Sequence, residues 1–408
     1  MNTSKRINKI ELLLLAMMLL ATSFGESIRI FNINISWVIA FLLLFVTAFD
    51  LALINPGRFF CPSAKHKKIF AFALIWLFYG ALQMFWAKDM ALWKQGFASL
   101  AVNVFLIVEI CLLFQEKESF KGFAKYAFLL WGVNIGLAFY EIITQNHFIT
   151  DGVLYWDLQL VRTFFGNPND SATWIVLSFL LALLFLKREQ HKHTNLIEIL
   201  MWAITLYAVI CTGSRACMYG MIAYILFRLL AVLWLKLEAK ASGNSALKIP
   251  FWIVVGAIAV IGILAIYSNA MTSLIEKISQ GGNKESDLLR LDIIKDSIKV
   301  IFDTCFLGAG ANQTIAYIGI NPHNFFLELF SDYGIIVFAF SCYFFAVIIN
   351  ACFNKKELKP LRIYFLVFAL VFVIISISSS SMNRLRLTWP VFTLVYLSTQ
   401  KYKSGAVK

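Results

Sequence analysis

Residues 35–54 read ISWVIAFLLLFVTAFDLALI, twenty positions with a single charge, Asp50. At a rise of 1.5 Å per residue this run is as long as the roughly 30 Å of hydrocarbon in a bilayer. A barrel strand would need only about ten residues of alternating character. Moving outward, similar runs recur along the whole chain, and 60% of its 408 residues are hydrophobic against 14% charged. A soluble domain could not cover that much apolar surface. In lipid every backbone polar group must be satisfied within the chain, so the expectation is an all-α integral membrane protein.

Hydropathy with turn and charge punctuation places spans at 11–25, 35–54, 69–87, 97–114, 126–143, 172–186, 196–211, 217–235, 251–267, 332–353, 363–378 and 387–399, about twelve in all. The first is basic at its start, like a signal peptide, but no small-residue cleavage site follows Gly25, so it is read as a span. No internal repeat or low-complexity linker divides the chain, which is treated as one membrane domain, 1–408.

Lys and Arg then orient the spans. The N-terminal segment, the loops near 55–68, 115–125, 187–195, 236–248 and 354–362, and the C-terminal tail hold 23 of the 36 Lys and Arg; the alternate connections hold 12, and Arg228 falls inside a span, where snorkelling accounts for it. By the positive-inside rule both termini are cytoplasmic. The two longest connections, 144–171 and 268–331, are then extracytoplasmic. The net charge of +13 lies in short clusters rather than a stripe, which excludes a nucleic-acid-binding reading. Seven cysteines without CxxC or Cys/His spacing give neither a disulfide framework nor a metal site and are read as packing residues.

Polar residues gather beside helix ends in three outer segments. The first, Arg162-Thr163-Phe164-Phe165-Gly166-Asn167-Pro168-Asn169-Asp170-Ser171, has turn chemistry, and Asn169, Asp170 or Ser171 is expected to cap the following helix. In the second, Thr212-Gly213-Ser214-Arg215-Ala216, the arginine is held tightly at the membrane edge, either as an anchor or as a ligand for an anion. The third contains Arg290 in an amphipathic stretch from Leu288 to Ile301, expected to lie on the membrane surface. It continues through Gly308-Ala309-Gly310, too few glycines for a phosphate fingerprint, to Asn321-Pro322-His323-Asn324. His323 has the chemistry of a base, although a lone histidine is more often simply hydrogen-bonded. His66, His191 and His193 lie in basic loops and are read as solvated, and nothing comparable surrounds His147. Arg162, Arg215, Arg290 and His323 share one side, and planar guanidinium groups match pyrophosphate oxygens. Arg384 and Arg386, before the last span, add to that field or act as anchors.

Phe165-Gly166-Asn167-Pro168-Asn169, Thr212-Gly213-Ser214-Arg215 and Pro322-His323-Asn324-Phe325-Phe326-Leu327-Glu328 with Tyr333-Gly334-Ile335 occur in an order that resembles the O-antigen ligase and polymerase superfamily. The resemblance covers about Arg162 to Ile336. It implies a GT-C-like membrane glycosyltransferase of the bacterial inner membrane, metal-independent and without a cofactor, working on the extracytoplasmic face. Such an enzyme moves a glycan from undecaprenyl pyrophosphate to a sugar hydroxyl. By the resemblance Arg215 and Arg290 bind the donor pyrophosphate. His323 orients or deprotonates the acceptor, and a single displacement inverts the anomeric carbon. Arg162, Asn167 and Asn324 are candidate substrate-binding residues. Within the superfamily the reading favours a polymerase of surface-polysaccharide repeat units over a ligase that moves the finished glycan to lipid A core or another acceptor. A transporter or flippase of lipid-linked glycan is the reading from a different class. It would place broken or ionisable positions at midmembrane in both halves. The implied partners are the lipid-linked donor, the glycan acceptor, membrane lipids, and chain-length regulator or flippase proteins.

Overall fold

The computed structural model describes residues 3–24, 29–30, 33–59, 63–149, 159–189, 193–241, 284–354, 359–378 and 385–399. The ninth expected span, 251–267, and Arg384, His191 and parts of both long outer connections lie outside the described residues. The chain is an all-α membrane protein. In order, α1 is Thr3–Ser23, α2 Ile35–Phe49 with a π-helical continuation Asp50–Ile54, α3 Ala64–Leu82 and α4 Met90–Leu113. Then come α5 Lys117–Thr144, α6 Pro168–Glu189, α7 Thr194–Cys211 and α8 Arg215–Ala241. The rest are α9 Lys284–Asp303, α10 Thr314–Ile318, α11 Phe325–Phe353, α12 Lys359–Ser378 and α13 Thr388–Ser398. A two-residue hairpin, Arg29–Ile30 against Ile33–Asn34, enters α2.

Among the described residues nine helices are long and apolar enough to cross a membrane: α2 to α8, α11 and α12. Helices α1 and α13 occupy the positions of the first and last expected spans, α13 with only 11 residues. Several helices run past the apolar run that marks them. Helix α5 begins at Lys117 and α11 at Phe325, because a helix continues into the headgroup layer wherever its residues keep helical propensity, and α11 is also capped by Asn324. Helix α11 kinks at Gly334, whose φ of 72° and ψ of −173° leave the helical region.

Helix α6 forms the centre. Every residue from 171 to 187 is buried, as expected of a helix that is apolar on all sides. It packs against α5, α7, α8, α12 and α13. Helix α8 lies along α12, and α12 along α11. Tertiary hydrogen bonds sort the helix ends into two sets. At one end Trp174 Nε1 donates to Ser23 Oγ (3.0 Å), Arg386 Nη1 to Ser36 Oγ (3.0 Å) and Trp86 Nε1 to the Gly308 carbonyl (2.9 Å). At the other, Lys65 Nζ donates to Thr399 Oγ1 (2.6 Å) and Arg362 Nε to the Cys352 carbonyl (3.0 Å). This sorting matches the alternation of Lys and Arg between connections. The two sets are called the site end and the basic end.

Two expectations are corrected at the basic end. His66 is buried rather than solvated, with Nδ1 2.7 Å from Ser63 Oγ and Nε2 3.1 Å from the Phe114 carbonyl oxygen, because the α4–α5 turn closes over it. Arg228 does not snorkel alone: its Nε donates to Glu198 Oε1 at 2.9 Å, a carboxylate that also takes Lys187 and the Tyr224 hydroxyl. Cys111, Cys211, Cys217 and Cys352 are buried free thiols, in keeping with a packing role, whereas Cys305 is exposed and does not fit it.

Candidate functional site

Each of the three motifs meets the site end at the start of a helix. In the first, Asn167 is the cap: its Oδ1 accepts the Asn169 amide at 2.8 Å and Pro168 is the first helical residue of α6. This places the cap before Asn169, Asp170 and Ser171, because proline has no amide hydrogen to satisfy and is preorganised for the first position. Upstream, Arg162 is fully buried and its Nη2 donates to the Ile149 carbonyl at 2.9 Å. Glu141, at the end of α5, organises this turn. Its Oε2 accepts the Arg162 and Thr163 amides (2.8 and 3.1 Å), and its Oε1 the Phe148 amide (3.0 Å). Sequence reading passed over Glu141, although a carboxylate closing an apolar run before a polar loop is a usable signal.

The second motif is the α7–α8 turn. Gly213 has φ +67°, and a Cβ there would meet the Leu160 methyls at 3.1 and 3.2 Å, so the residue must be glycine both for its backbone and for its neighbour. The Val161 amide donates to the Cys211 carbonyl at 3.1 Å, which brings the first motif against the second. Thr173 Oγ1 on α6 lies 3.6 Å from Cys217 Sγ on α8, so the starts of these helices are neighbours. Arg215 is the first residue of α8 and is half-buried.

The third motif opens α11. His323 is half-buried with φ 51°, a left-handed conformation uncommon for a residue with a side chain. Asn324 caps the helix, its Oδ1 accepting the Leu327 amide at 3.0 Å. Phe325 is buried against Phe372 of α12 and Trp389 of α13. On the opposite flank of α12, Gly220 of α8 faces Val371, Ile374 and Ile375. The same end of α12 is therefore bracketed by the helix that Arg215 begins and the one that His323 precedes. Arg290 lies on α9, which packs against α11; its side chain lies outside the described residues. Arg386 is an anchor, with Nη1 on Ser36 and its guanidinium carbon 5.6 Å from the Trp37 ring centre.

What fixes this region is a knot around Asp332. Its carboxylate accepts the Thr314 amide (2.8 Å), the Thr314 hydroxyl (2.5 Å) and the Asn312 amide (3.2 Å), and its carbonyl accepts the Gly310 amide (2.8 Å) and Gln83 Nε2 (2.9 Å). The Ile335 amide reaches the Phe306 carbonyl at 2.9 Å. Gly308 and Gly310 are thus used in close backbone packing: a Cβ on Gly308 would lie 2.4 Å from the Gly334 nitrogen. The α3–α4 turn closes the knot through Trp86 on Gly308 and through Gln313 on the Asp89 backbone.

Chemically, α6, α8 and α11 all begin at this end of the bundle, where their helix dipoles favour an anion. Among the described residues no group of His, Cys, Asp and Glu is arranged to hold a metal.

Residues 200–344 match the model of the family described as O-Antigen ligase, a segment that contains the second and third motifs. The chain is also 24% identical over 359 residues to the teichuronic acid biosynthesis protein TuaE of Bacillus subtilis (strain 168), covering 81% of this chain and 71% of that protein. Together these findings support the superfamily resemblance and a role as a membrane protein of cell-envelope polysaccharide biosynthesis, of the polymerase or ligase kind.

Proposed function

We propose that this chain is a membrane glycosyltransferase that transfers a glycan from undecaprenyl pyrophosphate to a sugar hydroxyl, extending a surface polysaccharide by repeat units on the extracytoplasmic face. The observation that supports it most is that three polar motifs, each at a helix start, lie at the same end of the bundle, the one poorer in Lys and Arg. With the positive-inside rule this end is extracytoplasmic, both termini are cytoplasmic, and 144–171 and 268–331 are the outer segments that build the site.

In this mechanism the acceptor hydroxyl attacks the anomeric carbon of the donor as His323 takes its proton. The carbon–oxygen bond to pyrophosphate breaks on the opposite face, and the configuration inverts. Negative charge grows on the leaving pyrophosphate, so Arg215 and Arg290, aided by the helix dipoles, stabilise the transition state more than the ground state. Leaving-group stabilisation of this kind needs no metal. Asn324 holds the backbone that presents His323, while Arg162 and Asn167 shape the wall beside Arg215.

Polymerase is the reading put forward and ligase its alternative: the relative is named for teichuronic acid biosynthesis, and the family description favours the ligase. Complementation of a glycan-deficient strain with wild type, Arg215→Ala, Arg290→Ala and His323→Ala, at matched membrane levels, separates them. Loss of long glycan with accumulation of single lipid-linked repeat units is expected. Removing one such stabilising group should lower turnover about 10²- to 10³-fold. Accumulation of long lipid-linked chains would establish the ligase instead, and unchanged glycan in all three variants would remove the proposed site.

A further inference from the structure

At the basic end, remote from Arg215 and His323, a shallow crevice opens between α7 and α8. Ile199, Trp202, Ile225 and Leu229 form its apolar walls, while Asn195, Glu198, Tyr224 and Arg228 supply its polar lining. Its rim is lipid-facing: Leu196, Leu200, Leu226 and Leu230 are exposed apolar side chains on the outside of a membrane bundle. Trp202 is fixed as a wall by its Nε1 bond to the Met221 carbonyl at 2.8 Å.

Among the described residues the charges here do not balance. Lys187 and Arg228 share one carboxylate, Glu198, which also receives the Tyr224 hydroxyl, so two cations meet one anion beneath the crevice. Glu198 is already saturated as an acceptor, whereas Arg228 Nη1 is buried with no acceptor. Nη2 reaches the Asn195 Oδ1 and the Glu198 Oε2, both at 3.3 Å. A buried guanidinium donor left without an acceptor is costly, and the crevice beside it opens on lipid. Basic pockets between membrane helices at the positively charged face have the chemistry to hold anionic headgroups.

We infer that the α7–α8 crevice binds an anionic phospholipid of the surrounding leaflet, its phosphate taking Arg228 and one acyl chain lying along Ile199, Trp202 and Ile225. The phosphate completes the guanidinium's acceptors and neutralises the surplus charge. The apolar walls select a lipid over a free anion. This site is independent of the proposed glycosyl transfer and lies at the other end of the bundle.

The test uses the full-length protein, delipidated in detergent and titrated with phosphatidylglycerol or phosphatidylcholine, with binding read by native mass spectrometry. A charge-assisted contact of this kind predicts about a tenfold preference for phosphatidylglycerol. Arg228→Gln removes the positive charge and Leu229→Trp fills the crevice while leaving the ion network in place, and each should abolish the preference. Lys65→Ala, a basic-end lysine outside the crevice, should keep it. Equal binding of the two lipids by wild type, or a preference surviving in Leu229→Trp, overturns the assignment. Displacement of phosphatidylglycerol by undecaprenyl phosphate at equal concentration would replace the phospholipid with a polyprenyl ligand and overturn it as well.

Discussion

The two ends of this bundle are held by different physics. At the basic end the turns keep ordinary backbone angles and the fixing groups are buried charges: Arg58 between Glu11 and Asp50 (2.7 and 2.5 Å), and Glu198 among Lys187, Arg228 and Tyr224. At the site end the buried carboxylates Glu141 and Asp332 hold backbone amides rather than opposite charges, and strained backbone conformation adds to them. All the positive-φ residues among those described lie there, from Gln145 and Thr163 through Gly213 to Cys305, Phe306, Asn312, His323 and Gly334. Backbone held in sparsely populated regions collects where a fixed geometry is required and the surroundings over-determine it. A charge network tolerates small shifts of its members; a left-handed residue packed against another backbone does not. The comparison teaches that one end is built to fold and the other to hold side chains in place.

The largest effect is expected from breaking the basic end. Glu198→Leu leaves Lys187 and Arg228 buried with no carboxylate between them, a loss of about 3–5 kcal/mol. Melting of the detergent-solubilised protein and membrane abundance should both fall steeply, while the surviving molecules retain their activity per molecule. An unchanged melting temperature would show that the network is not what holds this end together.

Gly334→Ala attacks the site end in its own terms. The new Cβ would lie 2.5 Å from the Leu307 carbonyl carbon and oxygen, at a φ of 72° that alanine disfavours. Backbone atoms cannot rotate aside, so a cost of about 2–3 kcal/mol is expected, concentrated in the 306–314 loop. Limited proteolysis should cut that loop first, and glycan synthesis should fall by more than the drop in folded protein. If melting and activity fell in parallel, the site end would be no more specialised than the basic end. Asp332→Asn should cost about 1.5–3 kcal/mol, since it keeps the shape but weakens the charge-assisted bonds to Thr314 and Asn312.

The sequence made some of this legible. Apolar runs set against alternating Lys and Arg gave the helical class and the grouping of helix ends, because bilayer thickness and backbone satisfaction leave little freedom. The Asn167-Pro168 step was readable as turn chemistry for the same local reason. The Asp332 knot was not readable. It joins residues near 83–89 to residues near 307–314 across more than two hundred positions, and no local pattern encodes such a pairing. Glu198 was hidden inside an apolar run, so Arg228 was read without its partner. His66 was misjudged because its loop is basic in composition, although the ring itself faces inward onto Phe114.

The smallest effect is also the sharpest test of how the site end divides folding from function. Asn167 caps α6 through its bond to the Asn169 amide, and loss of a cap costs about 1 kcal/mol, so Asn167→Ala should lower the melting temperature slightly. Asn167→Asp retains an acceptor for that amide and should restore the melt. A carboxylate beside the Arg215 turn, however, would repel a pyrophosphate and compete for the arginine. If Asn167 shapes the donor wall, the Asp variant keeps wild-type stability yet loses activity, most strongly at low salt where screening is weak. Full activity in Asn167→Asp would confine this residue to capping and move the donor closer to the start of α11.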